Sequence, residues 1–101
     1  MKGISCLAAL KALSEHTRLR ILRVLLKDQL SVNTISRRLK LTQYNVSKHL
    51  RILREAGLLE TEKQGQQRIY RVAAQLKNHL VQNENVLELD CCTVRFDKLP
   101  K

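Results

Sequence analysis

The sequence predicts a mainly α-helical domain that carries one β-hairpin, an α+β arrangement. Two observations lead to this prediction. Apolar residues recur every three or four positions in the segments between Ile4 and Gly57, which is the spacing of amphipathic helices. Two segments of alternating pattern then flank Gly65, as in a hairpin. The 101 residues, of which 44% are hydrophobic, suffice for one folded domain.

The first two helices are predicted from their apolar content. Ile4 to Leu13 contains few polar residues and indicates a short, mostly apolar helix. The second helix combines a wide apolar face with basic residues on its outer side. Ser14 is its expected N-cap, with Thr17 as the alternative, because both hydroxyls accept hydrogen bonds from backbone amides.

The third and fourth helices are predicted to follow each other after a tight connection. Ser31 and Thr42 precede them as N-cap residues. Gly57 ends the fourth helix, because glycine tolerates the positive φ found at helix C-termini. Two short helices joined in this way form a helix-turn-helix, whose second helix enters the major groove of DNA. A hairpin directly after that helix is a wing, so the predicted fold is a winged helix-turn-helix.

The remainder of the chain is predicted as a fifth helix and a tail. Ala73 to Gln82 places apolar residues on one side of a helix. The tail, from about residue 83 to residue 101, alternates apolar and polar side chains, and we expect it to be extended. We see no internal repeat and no Gly/Ser linker, so residues 1–101 are expected to form one domain.

The distribution of charge indicates a nucleic-acid partner. The chain has 19 Lys and Arg residues against 9 Asp and Glu residues, a net charge of +10, and the whole excess lies in residues 1–72. Lys and Arg neutralise phosphates, so this segregation favours double-stranded DNA over the alternative of a generally basic soluble protein. No apolar run reaches the length of a membrane span and no signal peptide is visible, so we expect no membrane partner and a cytoplasmic location.

The start of the fourth helix offers side chains that read base edges. Gln43 and Asn45 can pair bidentately with adenine, and Tyr44 can pack on a thymine methyl group or bond a phosphate. Polar and basic neighbours are expected to contact phosphates or bases, and the alternative is a solvated helix face. The predicted DNA-contacting residues are Arg37, Arg38, Thr42, Gln43, Tyr44, Asn45, Ser47, Lys48, His49, Lys63, Gln64 and Arg68.

The segment from Leu10 to Val72 resembles the ArsR/SmtB family of winged-helix repressors. HTRLRIL stands where the family has a PTRLRIL-like segment. VSKHLRILREAGLL, followed by a hairpin ending in RIYRV, stands where the family has VSxHLxxLxxAGLV and a wing ending in YxL. The resemblance implies a homodimer that binds a palindromic operator, represses transcription and is released by an effector. It also implies a dimer interface formed by the first and last helices, here with Leu7, Leu10, Leu76 and Leu80.

Two metal sites found in members of that family are not matched here. Members that sense metals often carry CVC in the third helix, where this chain has Ser31, Val32 and Asn33. Other members bind zinc with Asp and His residues of the last helix, which here offers only His79. A lone His is more often a surface or capping residue than a metal ligand.

The cysteines Cys6, Cys91 and Cys92 all lie outside the predicted DNA-reading unit. In the dimer that the resemblance implies, the two ends of the chain lie close, and three thiolates suit a soft ion. The resemblance makes arsenite, or another thiophilic ion, the first candidate effector. The second is redox or persulfide sensing by Cys6 with Cys91 or Cys92, because adjacent cysteines bond each other only with strain. The alternative is that all three are small buried apolar residues that sense nothing.

Other classes of function find less support in the sequence. An enzyme is not expected, because the chain shows no paired carboxylates, no nucleophile–base set and no phosphate-binding loop. A winged helix that binds RNA or only proteins is the stronger rival. RNA recognition favours exposed aromatic residues for stacking, and aromatic residues make up 3% of this chain.

Overall fold

The computed structural model describes residues 4–101, which form five α-helices and five β-strands. The helices are α1 (Cys6–Leu13), α2 (His16–Leu25), α3 (Val32–Leu39), α4 (Gln43–Glu55) and α5 (Ala74–Gln82). The strands are β1 (Leu30–Ser31), β2 (Leu59–Gln64), β3 (Gln67–Val72), β4 (Val86–Glu88) and β5 (Thr93–Arg95). A 3₁₀ turn follows at Phe96–Lys98. The predicted fold, mainly α with a hairpin wing after a helix-turn-helix, is confirmed.

Side-chain caps explain where most of the helices begin. The Ser31 hydroxyl accepts a hydrogen bond from the amide of Thr34, and the Thr42 hydroxyl accepts one from the amide of Asn45, at 3.3 and 3.1 Å. Both caps were predicted. The predicted cap of α2 is wrong, because Ser14 ends α1, where its hydroxyl donates to a carbonyl of that helix. The residue that caps α2 is the next one along the chain, Glu15.

The core lies between α2, α3 and α4 and extends to both ends of the described chain. Its central side chains are large, aliphatic and solvent-free. These fully buried residues are Ile21, Leu22, Ile35, Val46, Leu50, Leu53, Leu58, Leu76 and Leu87. Each such side chain contributes about 1.5–3 kcal/mol on burial. The apolar faces predicted for α3 and α4 therefore fix both helices of the helix-turn-helix on one scaffold.

The wing is a hairpin of β2 and β3 that a third, very short strand extends. Gly65 lies at the tip with φ of 62°, a conformation that favours glycine. β1 pairs with β3 on the other side, with Leu30 opposite Tyr70, so the strand order is β1-β3-β2. The sequence did not predict β1, because two residues cannot show an alternating pattern. β1 anchors the wing to the start of α3.

The tail folds back on the core as a second small hairpin. β4 pairs with β5 in antiparallel register, and Leu87 and Phe96 are both buried. The prediction of an extended tail is correct for these strands, but the segment also turns and ends in the 3₁₀ turn. Near its end, the Arg20 guanidinium donates to the carbonyl of Lys101 at 3.0 Å. Over residues 4–101, the structure contains no helix with the length and apolar character needed to span a membrane.

Candidate nucleic-acid interface

The connection between α3 and α4 is held by hydrogen bonds within the turn. Lys40 adopts a left-handed conformation with φ of 57° at the end of α3. The amide of Leu41 donates to the carbonyl of Ser36 at 3.0 Å, and the Ser36 hydroxyl donates back to the Leu41 carbonyl. These bonds fix the direction in which α4 leaves α3, so the N-terminal turn of α4 has a defined place on the surface.

Helix α4 separates an apolar face from a polar face. Val46, Leu50 and Leu53 are fully buried on the first face. The polar face is open to solvent, and the Tyr44 residue is 79% exposed. The predicted contacts that are exposed there are Thr42, Gln43, Tyr44, Asn45, Ser47 and Lys48. Hydrogen-bonding side chains on a protruding, rigidly seated helix can reach base edges in a major groove.

Basic residues of α3 lie beside this polar face. Arg37 and Arg38 are both exposed. Arg37 lines a groove of about 300 Å³ together with Gln43 of α4 and Gln67 of the wing. Arg38 pairs loosely with Asp28 at 3.6 Å, and both side chains are at least half exposed. An ion pair so exposed contributes little to stability, so Arg38 can leave the Asp28 carboxylate and bind a DNA phosphate instead.

The wing divides its charges between base and tip. At the base, Arg71 is bound by two carboxylates, those of Glu60 and Glu62, each at 3.2 Å. Toward the tip, Lys63 lies directly opposite Arg68 in the register of β2 and β3. Like charges at opposed positions repel each other, and an anion placed between them relieves that repulsion. The exposed residues Lys63, Gln64 and Arg68 are therefore suited to a phosphate backbone.

His49 is the predicted DNA contact that the structure places elsewhere. Its side chain is 16% exposed, and Nδ1 lies 3.2 Å from Nη1 of Arg18 and 3.7 Å from Oε2 of Glu15. His49 thus faces α2 and not the polar face. The sequence held a signal for this position, since His49 follows Val46 by three residues and precedes Leu53 by four, the spacing of one helix face.

The electrostatics of this inward cluster favour a neutral imidazole. Burial lowers the pKa of His49, with smaller contributions from the cations Arg18 and Lys48, and Glu15 opposes the shift. Burial alone would raise the pKa of Glu15, but the amides of Thr17 and Arg18 that bond its carboxylate, together with the nearby His49 and Arg18 side chains, outweigh this and lower it. Sequence reasoning missed the roles of Arg18 and Glu15, since both lie on α2 or its cap, far from α4 along the chain.

The cysteines lie at the surface. Cys6, the first residue of α1, forms a disulfide with Cys91 in the loop between β4 and β5, and Cys92 is a free, half-buried thiol. Cys6 is half-buried and Cys91 is exposed. The burial that the third alternative expected for all three cysteines is therefore not found. Over residues 4–101, no group of three or more Cys, His, Asp or Glu side chains is arranged to hold a metal ion.

The four leucines predicted for a dimer interface fall into two groups. Leu7 and Leu10 are 73% and 41% exposed on α1. Leu76 and Leu80 of α5 are buried in the core of the same chain, so neither is open to a second copy. The apolar side chain that α5 exposes is Val81, at 75%. The single apolar stripe of α5 is thus used for the core, and the prediction for Leu76 and Leu80 is corrected accordingly.

Comparison with known proteins agrees with this geometry. A family model described as a helix-turn-helix domain matches residues 13–62. The transcriptional activator HlyU of Vibrio cholerae is 43% identical over 65 residues, which are 64% of this chain and 60% of that protein. The structure of reduced HlyU superposes with a TM-score of 0.66 at 36% identity, covering 76% of this chain and 81% of the other.

The chain belongs to the ArsR/SmtB family of winged helix-turn-helix proteins.

Two further relatives extend the comparison. A biofilm growth-associated repressor of Xylella fastidiosa is 36% identical over 75 residues, which are 70% of this chain and 66% of that protein. A homodimeric winged helix-turn-helix DNA-binding domain of Mycobacterium bovis, named a possible ArsR-family regulator, has a TM-score of 0.69 at 26% identity and covers 87% of this chain and 94% of its own. The chain spans 60–66% of the length of the HlyU and Xylella relatives.

Proposed function

We propose that this ArsR/SmtB-family chain binds double-stranded DNA as a homodimer and represses transcription from a palindromic operator. The observation that carries the proposal is the division of α4, which seats Val46, Leu50 and Leu53 in the core and presents the polar face to solvent. Basic residues of α3 and of the wing flank that face on the same polypeptide. Such an arrangement reads bases with one helix and holds phosphates around it.

The direction of regulation, activation or repression, is proposed from what a dimer bound at an operator would do to transcription. HlyU is named an activator and the Xylella protein a repressor, so the relatives act in both directions. We favour repression, in which a dimer bound at an operator blocks transcription until an effector releases it. The proposed DNA partner supports a cytoplasmic location.

The proposed dimer uses the exposed apolar surface of α1. Leu7 and Leu10 point away from the core, and burial of a leucine side chain stabilises an interface by up to about 1.5–3 kcal/mol. Val81 of α5 is the second exposed apolar contact. The Mycobacterium domain is named homodimeric, which supports a homodimer here. A two-fold dimer explains why a palindromic site would be read.

The proposed effector site is the pair Cys6 and Cys91. In the reduced protein the pair is a dithiol. A peroxide or a low-molecular-weight disulfide takes two electrons and two protons from it and is itself reduced, and one S–S bond forms between Cys6 and Cys91. The exposed position of Cys91 supports access by such reagents. A second candidate effector is arsenite, supported by Cys92, the free thiol adjacent to this pair. Because no three such side chains are arranged to hold an ion over residues 4–101, arsenite binding requires that reduction lets Cys6, Cys91 and Cys92 come together as sulfur ligands.

One titration separates these possibilities. Operator binding is measured with reduced protein, with oxidised protein and with reduced protein plus arsenite, for wild type, Cys6→Ser and Cys92→Ser. Redox sensing predicts that oxidation changes the affinity of wild type and Cys92→Ser alike, and leaves Cys6→Ser unchanged. Arsenite sensing predicts that arsenite releases the wild-type protein from the operator and that neither variant is released. No response in any of the three states would refute the cysteine site.

The dimer is tested in the same preparation. Leu10→Glu places a charge in the proposed interface, and we expect it to yield a folded monomer with weakened operator binding. Lys11→Glu, an adjacent exposed substitution on α1, is the control. A wild-type protein that sediments as a monomer at micromolar concentration would refute the dimer.

A further inference from the structure

One guanidinium joins the end of α1 to the recognition helix α4. Nε of Arg18 donates to the carbonyl of Ala12 at 2.7 Å, and Nη2 donates to that of Lys11 at 3.2 Å. Nη1 of the same side chain lies 3.2 Å from Nδ1 of His49. Because the guanidinium is planar and rigid, these three contacts are geometrically linked. A displacement of the last turn of α1 would therefore move the Arg18 guanidinium and, with it, the His49 side chain.

The partner on α4 is suited to this bond. Arg18 has only donors, so Nδ1 of His49 acts as the acceptor and the imidazole is neutral. Oε2 of Glu15, the cap of α2, lies 3.7 Å from the same Nδ1 atom. The contact between Arg18 and His49 lies on the inner side of α4, opposite the residues that are proposed to face the major groove of DNA. Arg18 and His49 can thus affect DNA reading by setting the position of the helix, without touching a base.

The other end of α1 carries the disulfide. Cys6 is the first residue of this helix and Leu13 the last. The disulfide to Cys91 and the contacts of Arg18 are therefore about 10 Å apart along the axis of α1. Between α1 and α4 lies a groove of about 550 Å³ lined in part by the small side chains Ala8, Ala12 and Ala56. Arg18 also lines this groove, so its polar bridge adds to the packing of the buried residues Ala12 and Leu13 in setting how the two helices lie.

We propose that Arg18 is the positioning residue through which the state of the Cys6–Cys91 pair sets the orientation of α4. The proposal rests on the redox part of the proposed function. With the disulfide closed, both ends of α1 are fixed, at Cys91 and at Arg18. Reduction frees the first end, α1 shifts over the groove, and the guanidinium carries the shift to His49 and α4.

The test compares the dissociation constants of oxidised and reduced protein for one specific duplex. Wild type should show a ratio of at least about fivefold, the lower range of allosteric coupling. In Arg18→Met the ratio should fall to within about twofold of unity. Arg23→Met removes a cation from the same helix and should keep the wild-type ratio. Thiol titration confirms that each sample is oxidised or reduced as intended.

A second pair of variants guards against a folding defect in Arg18→Met. His49→Gln keeps an acceptor for Arg18 and should retain most of the coupling, whereas His49→Leu should lose it. An unchanged ratio in Arg18→Met, an equal loss in Arg23→Met, or an equal loss in both His49 variants would overturn the role of Arg18 and leave redox sensing intact. A wild-type ratio of unity would overturn both redox sensing and the role of Arg18.

Discussion

The Cα atoms of Cys6 and Cys91 lie 6.0 Å apart, although 85 residues separate them along the chain. The disulfide joins the first turn of α1 to the loop between β4 and β5, and so links the two ends of the described chain. The helix-turn-helix and the wing lie between these residues in sequence. Whether the bond is open or closed therefore bears on the stability of the whole fold as well as on the proposed sensing.

Reduction of this bond should destabilise the protein. A cross-link that closes so long a loop restricts the unfolded chain, which contributes about 4.6 kcal/mol to the free energy of unfolding in the chain-entropy model. Denaturant titrations at one protein concentration, with and without reductant, measure the difference. Cys92→Ser should show the same difference as wild type, and Cys6→Ser should show none. Equal midpoints for oxidised and reduced wild type would contradict the prediction.

Gln43 and Arg68 should affect DNA binding in different ways. Gln43→Ala removes a base-reading side chain, and we expect a loss of about 1–3 kcal/mol on the cognate duplex and relaxed discrimination against other sequences. Arg68→Ala removes a phosphate contact from the wing, so binding to all duplexes should weaken alike. The slope of log K against log salt should then fall by about one.

Titrations of both variants against cognate and random duplexes, at several salt concentrations, measure these effects. Gln66→Ala, which removes an exposed polar side chain at the wing tip, is the control for Arg68→Ala because it leaves the charge unchanged. Identical behaviour of Gln43→Ala and Arg68→Ala would contradict the division between base reading on α4 and phosphate binding on the wing.

Acidification should destabilise the fold through His49. Its pKa is lowered from 6.5, chiefly by burial, so the folded protein binds fewer protons than the unfolded chain. The contribution of this group is complete above pH 6.5 and is lost as the pH falls through the lowered folded pKa. Glu15, whose pKa is lowered from 4.5, loses its contribution only in more acidic solution.

Unfolding free energies measured between about pH 8 and pH 5 test this, since His titrates in that interval. Wild type should lose more stability than His49→Gln over the range, because the amide does not titrate. His16→Gln, a substitution of an exposed histidine in α2, is the matched control and should follow wild type. Parallel curves for wild type and His49→Gln would show that His49 is not coupled to folding.

The tail should behave as part of the core. Phe96 is buried against the core residues, and Phe96→Ala should cost about 3–5 kcal/mol, the usual loss for a buried aromatic side chain. Thr93→Ala, an exposed change in β5, should stay within about 0.5 kcal/mol of wild type. Denaturant titration of the two variants measures both values, and similar midpoints would show that the tail is not packed as described.

The fold was predictable where periodicity and local capping act together. Ser31, Thr42 and Gly65 each have a local chemical reason for their place, and the structure has the caps and the turn there. The N-cap of α2 was not predictable, because Ser14, Glu15 and Thr17 are all competent acceptors in the same short segment. The choice between them depends on how α1 packs, which is a tertiary effect.

The candidate site was predictable on its exposed side and less so on its inner side. The polar face of α4 follows from the burial of every third or fourth residue. The spacing of His49 from Val46 and Leu53 indicates its inward orientation, but no local pattern reports its contact with Arg18, which is 31 residues away. Leu76 and Leu80 show the same difficulty, since an apolar stripe on α5 fits a core or an interface equally well.

The DNA site that the protein selects shows whether α4 reads a major groove as one half of a dimer. Purified protein is used to select duplexes from a random library at moderate salt, and the selected site is footprinted. We expect a two-fold symmetric site whose half-sites lie about 10–10.5 base pairs apart, or a multiple of that distance, with preference lost in Gln43→Ala. A monomer that retains all duplexes equally would contradict it.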